Sequence, residues 1–178
     1  MKDTVGIKLS VAADSYANLL ASVLGRGDLY LARTESENLA HVFIDLPVSW
    51  AFEKLDGLNS IDRARTVVVT QGTHAAYSDI VASYHISGVV SVGNDAEIVS
   101  SIYAAAASLR TYNWQSSLTY MELRVSRLLL KGYDTEAAAK ELRVSSKTIN
   151  AHVSNAIGKL GYASRAQYVA ALFGRHRA

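Results

Sequence analysis

A doubly wound α/β parallel sheet followed by an all-α domain is the fold class that these 178 residues predict. Three observations carry it. Between residues 5 and 110, short β-prone runs alternate with helical stretches, which is how a parallel sheet with crossover helices reads in sequence. From residue 118 onward only helical periodicity remains. The formal charge of +2 is also unevenly divided: residues 1–110 hold eight Lys and Arg against twelve Asp and Glu, and residues 111–178 hold ten against four. A basic helical module joined to a mildly acidic one points to a polyanion at the carboxyl end. The division expected is a sheet domain over 1–110, a linker over 111–117 and a helical domain over 118–178.

The elements follow in chain order. Val5 to Val11 reads as a first strand. Residues 14–25 form a helix, with Asp14 or Ser15 as its cap and Leu19, Leu20, Val23 and Leu24 on one apolar face. Residues 28–32 and 41–45 are the second and third strands. Only about eight residues separate them, too few for a full crossover helix, so a clipped turn at 36–40 is the most that fits. A short helix over 49–58, a buried strand over 65–70, a helix over 75–85, a strand over 88–92 and a helix over 94–110 complete the sheet domain. On that last helix Ile98, Ile102, Ala105, Ala106 and Leu109 are apolar enough for core and interface together. The polar run 111–117 carries Trp114 and reads as a linker.

Four helices are expected after it. Thr119 with Glu122 three residues on is a capping box, Leu123, Leu128, Leu129 and Leu130 give the apolar face, and Gly132 is the stop. Asp134 caps a second helix through Leu142, whose Ala137, Ala138 and Ala139 permit close packing. Ser145 or Ser146 caps a third, ending near Gly161, and Ser164 caps a fourth running to about Phe173. In the third helix Ile149, Val153, Ala156 and Leu160 share one inward stripe. Lys147, Asn150, Ala151 and Ser154 lie on another face that is polar and small-sided. Such a face suits a major groove, where Lys147 meets a phosphate or guanine edge and Asn150 has the amide geometry for adenine. The same pattern also suits an ordinary amphipathic helix in a bundle. His152 lies beside the stripe, where a packed, hydrogen-bonded ring is the first reading and a titrating switch the second.

Composition narrows the function. An apolar fraction of 49% with 19% charged residues belongs to a globular chain and excludes wholesale disorder. Without cysteine there are neither disulfides nor thiolate metal sites. The histidines at 41, 74, 85, 152 and 176 lack ligand spacing. Neither a Ser/His/Asp grouping nor a glycine-rich phosphate loop is present, so neither enzyme activity nor a cofactor is expected. The opening residues lack the apolar run of a secretory leader, and no stretch approaches the length needed to span a bilayer. A cytoplasmic protein without a membrane partner is the expectation.

The run from Leu118 through Glu122 and Leu123, Leu128-Leu129-Leu130-Lys131-Gly132-Tyr133, Ala138-Ala139-Lys140-Glu141-Leu142, and Val144-Ser145-Ser146-Lys147-Thr148-Ile149-Asn150-Ala151-His152-Val153-Ser154-Asn155 resembles the LuxR/NarL-type helix-turn-helix family. So do Lys159-Leu160-Gly161 and Ser164-Arg165. The resemblance covers 118–172 and implies that 134–143 is a supporting helix and 146–160 a recognition helix in DNA. It implies base contacts for Asn150, Ala151 and Ser154, and contacts to DNA or its backbone for Lys147, Thr148 and Lys159. Dimerisation through the fourth helix, by Gln167, Val169 and Leu172, is also implied. Relatives often carry Lys where Asn150 stands, so no target sequence is carried over.

Residues 5–110 resemble, more distantly, the flavodoxin-like receiver domain of response regulators. The resemblance places Asp45 at the phosphoacceptor, Thr70 at the hydroxyl position and Asp14 at one Mg²⁺-binding acid. Ala13 replaces the partner acid, Val92 the lysine and Val89 the aromatic switch. Phosphoryl transfer to an aspartate needs a divalent cation and a cation to hold the product. With those supports depleted, a degenerate receiver is expected, free to dimerise or to bind a partner protein or a small ligand. The whole reads as a homodimeric transcription regulator on double-stranded DNA. Two alternatives stand beside it: a conventional regulator phosphorylated on Asp45, and an interaction module that titrates another regulator.

Overall fold

The computed structural model describes residues 5–12, 23, 29–32, 39–46, 48–71, 75–111 and 116–173. Five strands are present: β1 (Val5–Val11), β2 (Leu29–Leu31), β3 (Ala40–Asp45), β4 (Thr66–Thr70) and β5 (Gly88–Ser91). All pair in parallel in the order β2-β1-β3-β4-β5, the order of the doubly wound flavodoxin-like class. Among the described residues eight helices are delimited: α1 (Trp50–Gly57), α2 (Ser60–Ala64), α3 (Ala75–Ala82), α4 (Asp95–Ala106), α5 (Tyr120–Leu130), α6 (Thr135–Leu142), α7 (Ser146–Leu160) and α8 (Arg165–Leu172).

By compactness the chain forms two units, 1–71 with 84–113, and 72–83 with 114–178. In the first, β3 and β4 are buried along their whole length, as central parallel strands covered on both faces must be. Ala40, Val42 and Ile44 of β3 join Ile7, Val67, Val69 and Val90 on one face, where Ile98, Ile102 and Ala105 of α4 close the core. The other face of β3 presents Phe43 to Trp50 of α1, edge to face at 6.4 Å. In the second unit α3 packs on α5 and α8, and α7 packs on α5, α6 and α8.

The strands fall where periodicity puts them, within a residue at each end. The helix expected over 14–25 lies outside the described residues, except that Val23 is helical and fully buried. Of the turn expected at 36–40, residues 36–38 lie outside them and Ala40 instead opens β3. The helix expected over 75–85 stops at Ala82, and His85 takes a positive φ of 61° before the chain turns into β5. That over 94–110 stops at Ala106, with Ser108 at φ 56°; Leu109 is exposed rather than core. Helix α2 was not expected. Asn59 caps it by accepting the Asp62 N–H at 2.9 Å. Trp114 lies outside the described residues. Among the described residues no helix is long and apolar enough to cross a membrane.

Ile44 is fully buried at the centre of the sheet core. Ile44→Ala is expected to lower stability by about 2–5 kcal/mol, since a rigid parallel core collapses poorly around a lost side chain. A urea titration followed by circular dichroism measures it, and a loss under about 1 kcal/mol would contradict this packing.

Candidate nucleic-acid interface

Helix α7 is positioned by its neighbours before any ligand is considered. Asp134 caps α6 through the Ala137 N–H at 2.8 Å. Helix α6 then ends on Arg143, a non-glycine residue at φ 55°, and the Val144 N–H bonds the Ala139 carbonyl at 3.0 Å. That left-handed residue costs about 1–2 kcal/mol and turns the chain within three residues. Ser145 then caps α7 by accepting the Thr148 N–H at 3.1 Å. Ala138 and Ala139 are buried, small enough to let α6 and α7 approach closely. Gly161 closes α7 at φ 74°.

Ile149, Val153 and Ala156 of α7 are buried as the stripe requires, and Leu160 is half-buried. Lys147, Asn150, Ala151 and Ser154 are all exposed. The two faces of the helix are therefore divided as the sequence suggests, and the outer one carries no bulky apolar group. Thr148 is half-buried, with its hydroxyl 2.8 Å from that of Ser145. His152 is half-buried beside that stripe.

Lys159 is engaged elsewhere. Its ammonium donates to Glu122 Oε2 at 2.8 Å, and that carboxylate is 3% exposed. The same oxygen accepts the Thr119 N–H at 2.7 Å, while Thr119 Oγ1 accepts the Glu122 N–H. The capping box of α5 is thus tied to the last turn of α7. Burial raises the Glu122 pKa, but the hydrogen bonds from Lys159 and Thr119 and the Lys159 charge outweigh it, and the net shift is downward. Behind it the Ser126 hydroxyl bonds the Glu122 carbonyl at 2.6 Å and also the Tyr168 hydroxyl. Burial then pushes the Tyr168 phenol up to about 12.

Asn150 is also engaged. Its Oδ1 accepts from Arg165 Nη1 at 3.0 Å, and Arg165 Nη2 donates to Thr135 Oγ1 at 3.1 Å. Sequence reasoning missed Arg165 and Thr135 as members of the site. One signal was available: a cation in the first turn of a helix opposes the macrodipole and needs another reason to be there. Of the residues expected in dimerisation, Gln167 and Val169 are half-buried, whereas Leu172 is fully buried within this chain.

In the sheet unit Asp45 is fully buried at the end of β3. Its Oδ2 accepts the Ser49 N–H at 2.9 Å and its Oδ1 the Ala51 N–H at 2.6 Å. Both oxygens therefore fasten the turn into α1, where Ser49 itself sits at φ 86°. Thr70 stands beside Asp45 in register and is also buried, and the Val92 N–H bonds the Thr70 carbonyl at 3.0 Å. The carboxylate accepts these two backbone bonds, and the described residues hold no group of three or more His, Cys, Asp or Glu that could take a metal. Asp14 and Ala13 lie outside the described residues.

The family described as bacterial regulatory proteins, luxR family, matches residues 116–172. The spore germination protein GerE of Bacillus subtilis (strain 168) is 44% identical over 55 residues, which are 31% of this chain and 74% of that protein. The two-component response regulator RcsB, solved as a DNA complex, aligns with 98% of this chain and 100% of its own at 15% identity and a TM-score of 0.51. A structure of two RcsB dimers bound to two parallel DNAs aligns over 96% and 99% at 16% identity and a TM-score of 0.57. At those identities the RcsB structures speak for the fold: a parallel five-stranded sheet followed by a helical region.

Lys159→Ala is expected to cost roughly 1–3 kcal/mol of stability, because it leaves a buried carboxylate short of a donor. The Glu122 contribution is complete above its unfolded value of 4.5, because its folded pKa is lower, and it disappears as pH falls through the folded one. Urea midpoints taken from about pH 7 down to about pH 3 should fall more steeply in the parent protein than in Glu122→Gln. Parallel pH profiles would remove the ion pair from this account.

Proposed function

The chain belongs to the luxR family of DNA-binding bacterial regulators, and from that premise we propose that it acts as a homodimeric transcription regulator on a near-palindromic DNA site. The division we adopt is a degenerate receiver-like domain over 1–110, a linker over 111–117 and the DNA-binding domain over 118–178. The observation that carries the reading is the outer face of α7. Lys147, Asn150, Ala151 and Ser154 are exposed together, while every large apolar residue of the helix faces inward or is half-covered. A helix can lie close to the floor of the major groove only with such a face. In our reading Asn150, Ala151 and Ser154 meet base edges, and Lys147, Thr148 and the amino end of α7 meet phosphates. Lys159 reaches a phosphate only to the extent that Glu122 shares it.

Two-fold symmetry of the site follows from pairing two such helices across a dimer. The similar RcsB structures, described as dimers on DNA, support that arrangement. The burial of Asp45 supports regulation without phosphorylation, because a carboxylate must face solvent and a cation to accept a phosphoryl group. The sheet domain is then left to bind a partner protein, a small ligand or its own copy.

Binding to duplex DNA, read by fluorescence anisotropy, should weaken steeply as salt rises. Asn150→Ala should lose about 1–3 kcal/mol on the preferred site and little on random DNA. Failure of the full chain to bind any duplex at low salt would end the DNA-binding reading. For phosphorylation the measurement is intact mass after incubation with a small-molecule phosphodonor and Mg²⁺. No adduct is expected, and an adduct abolished by Asp45→Ala would reverse the proposal.

A further inference from the structure

Three helices meet at one exposed amide. Thr135 opens α6, Arg165 opens α8, and Asn150 stands between them in the first half of α7. Arg165 grips with two nitrogens, Nη1 on Asn150 Oδ1 at 3.0 Å and Nη2 on Thr135 Oγ1 at 3.1 Å. The Thr135 hydroxyl, whose own proton is left to give, lies 3.5 Å from the same Oδ1. Arg165 and Thr135 are half-buried, while Asn150 is exposed.

The chemistry of the three groups fixes the amide. A guanidinium has only donors and keeps its proton at any ordinary pH, so the side chain of Asn150 must turn its oxygen toward Arg165. That oxygen has two lone pairs, and Arg165 and Thr135 address both. The Nδ2 group keeps two hydrogens that meet no acceptor among the described residues. Pairing with adenine needs an acceptor for its N6 amino group as well as a donor for N7. Guanine offers two acceptors, N7 and O6, to the major groove and no donor. A donor-only amide matches the second pattern and leaves the first half-satisfied.

Building on the DNA-binding reading above, we propose that Arg165, with Thr135, is a specificity-determining positioning residue: it holds Asn150 as a donor and sets guanine in place of adenine at the base that Asn150 reads. Arg165 acts through Asn150 and needs no base contact of its own. This also revises what Asn150 alone suggests, since an unrestrained asparagine amide is suited to adenine.

The test uses the full chain and a duplex selected from a random pool. The base read by Asn150 is the position at which Asn150→Ala flattens the preference. There the parent protein should favour guanine over adenine by about fivefold or more, the lower end of what one good bidentate contact discriminates. Arg165→Lys keeps the positive charge for any phosphate but loses the fork, and Thr135→Val removes one arm of the clamp. Both should bring the guanine-to-adenine ratio toward one or below it, with preferences at all other positions unchanged. Because these two variants are mild, they keep the test alive if Arg165→Ala fails to fold. Adenine chosen by the parent protein, no position that responds to Asn150→Ala, or a ratio unmoved in both variants would each overturn the proposal while leaving DNA binding intact. Absence of binding to any duplex would instead take away the reading on which it rests.

Discussion

The orientation of α7 depends on one buried carboxylate. Glu122 closes the capping box of α5 and at the same time receives the ammonium of Lys159 from the far end of α7. A carboxylate that is 3% exposed is costly to leave unpaired, so the two helices cannot slide past one another without exposing or orphaning it. A hydrophobic contact of similar area would hold them together more loosely, because it tolerates small changes of register. Ser126 and Tyr168 extend the same constraint to α8 through a chain of hydrogen bonds. The frame holds the outer face of α7, with Lys147, Asn150, Ala151 and Ser154, in one register.

In the sheet unit, Asp45 occupies the strand end where the receiver resemblance places chemistry, yet its oxygens cap the main chain that enters α1. Those bonds secure a turn containing a serine at φ 86°, a conformation that non-glycine residues adopt only under external constraint. In this chain the two bonds give the Asp45 carboxylate an architectural task.

Much of this was legible in the sequence, and the reasons are local. Thr119, Asp134, Ser145 and Ser164 all cap the helices that periodicity assigns to them, because a cap is a bond between residues three apart. The stripe of Ile149, Val153 and Ala156 is buried as its spacing requires. Strands β1, β3, β4 and β5 were visible as short runs containing β-branched residues, and β2 as a short run of leucine and tyrosine. Other features leave no local mark. Helix α2 is only five residues long and has no buried residue, so it shows no amphipathic period. Lys159 and Glu122 are 37 positions apart, and Arg165 and Asn150 are 15 apart. Their partnerships exist only once the helices cross. Helix α3 reads as an ordinary crossover between β4 and β5, yet its contacts group it with the carboxyl-terminal helices.

The same lesson applies on both sides of the molecule. A residue at a motif position brings its functional groups, but its lone pairs and protons are shared with whatever the fold places beside it. Asn150, Lys159 and Asp45 each sit where resemblance assigns a contact, and each is already bonded within the free chain. The consequences differ because exposure differs. Asn150 is exposed and still has its amino group to offer beyond its internal bonds. Lys159 is partly exposed and gives its charge to a buried acid. Asp45 is fully buried, with two backbone N–H groups on its oxygens. What a motif residue can still do is therefore set by the hydrogen-bonding capacity it has left, counted atom by atom, and by whether solvent or a ligand can reach that remainder.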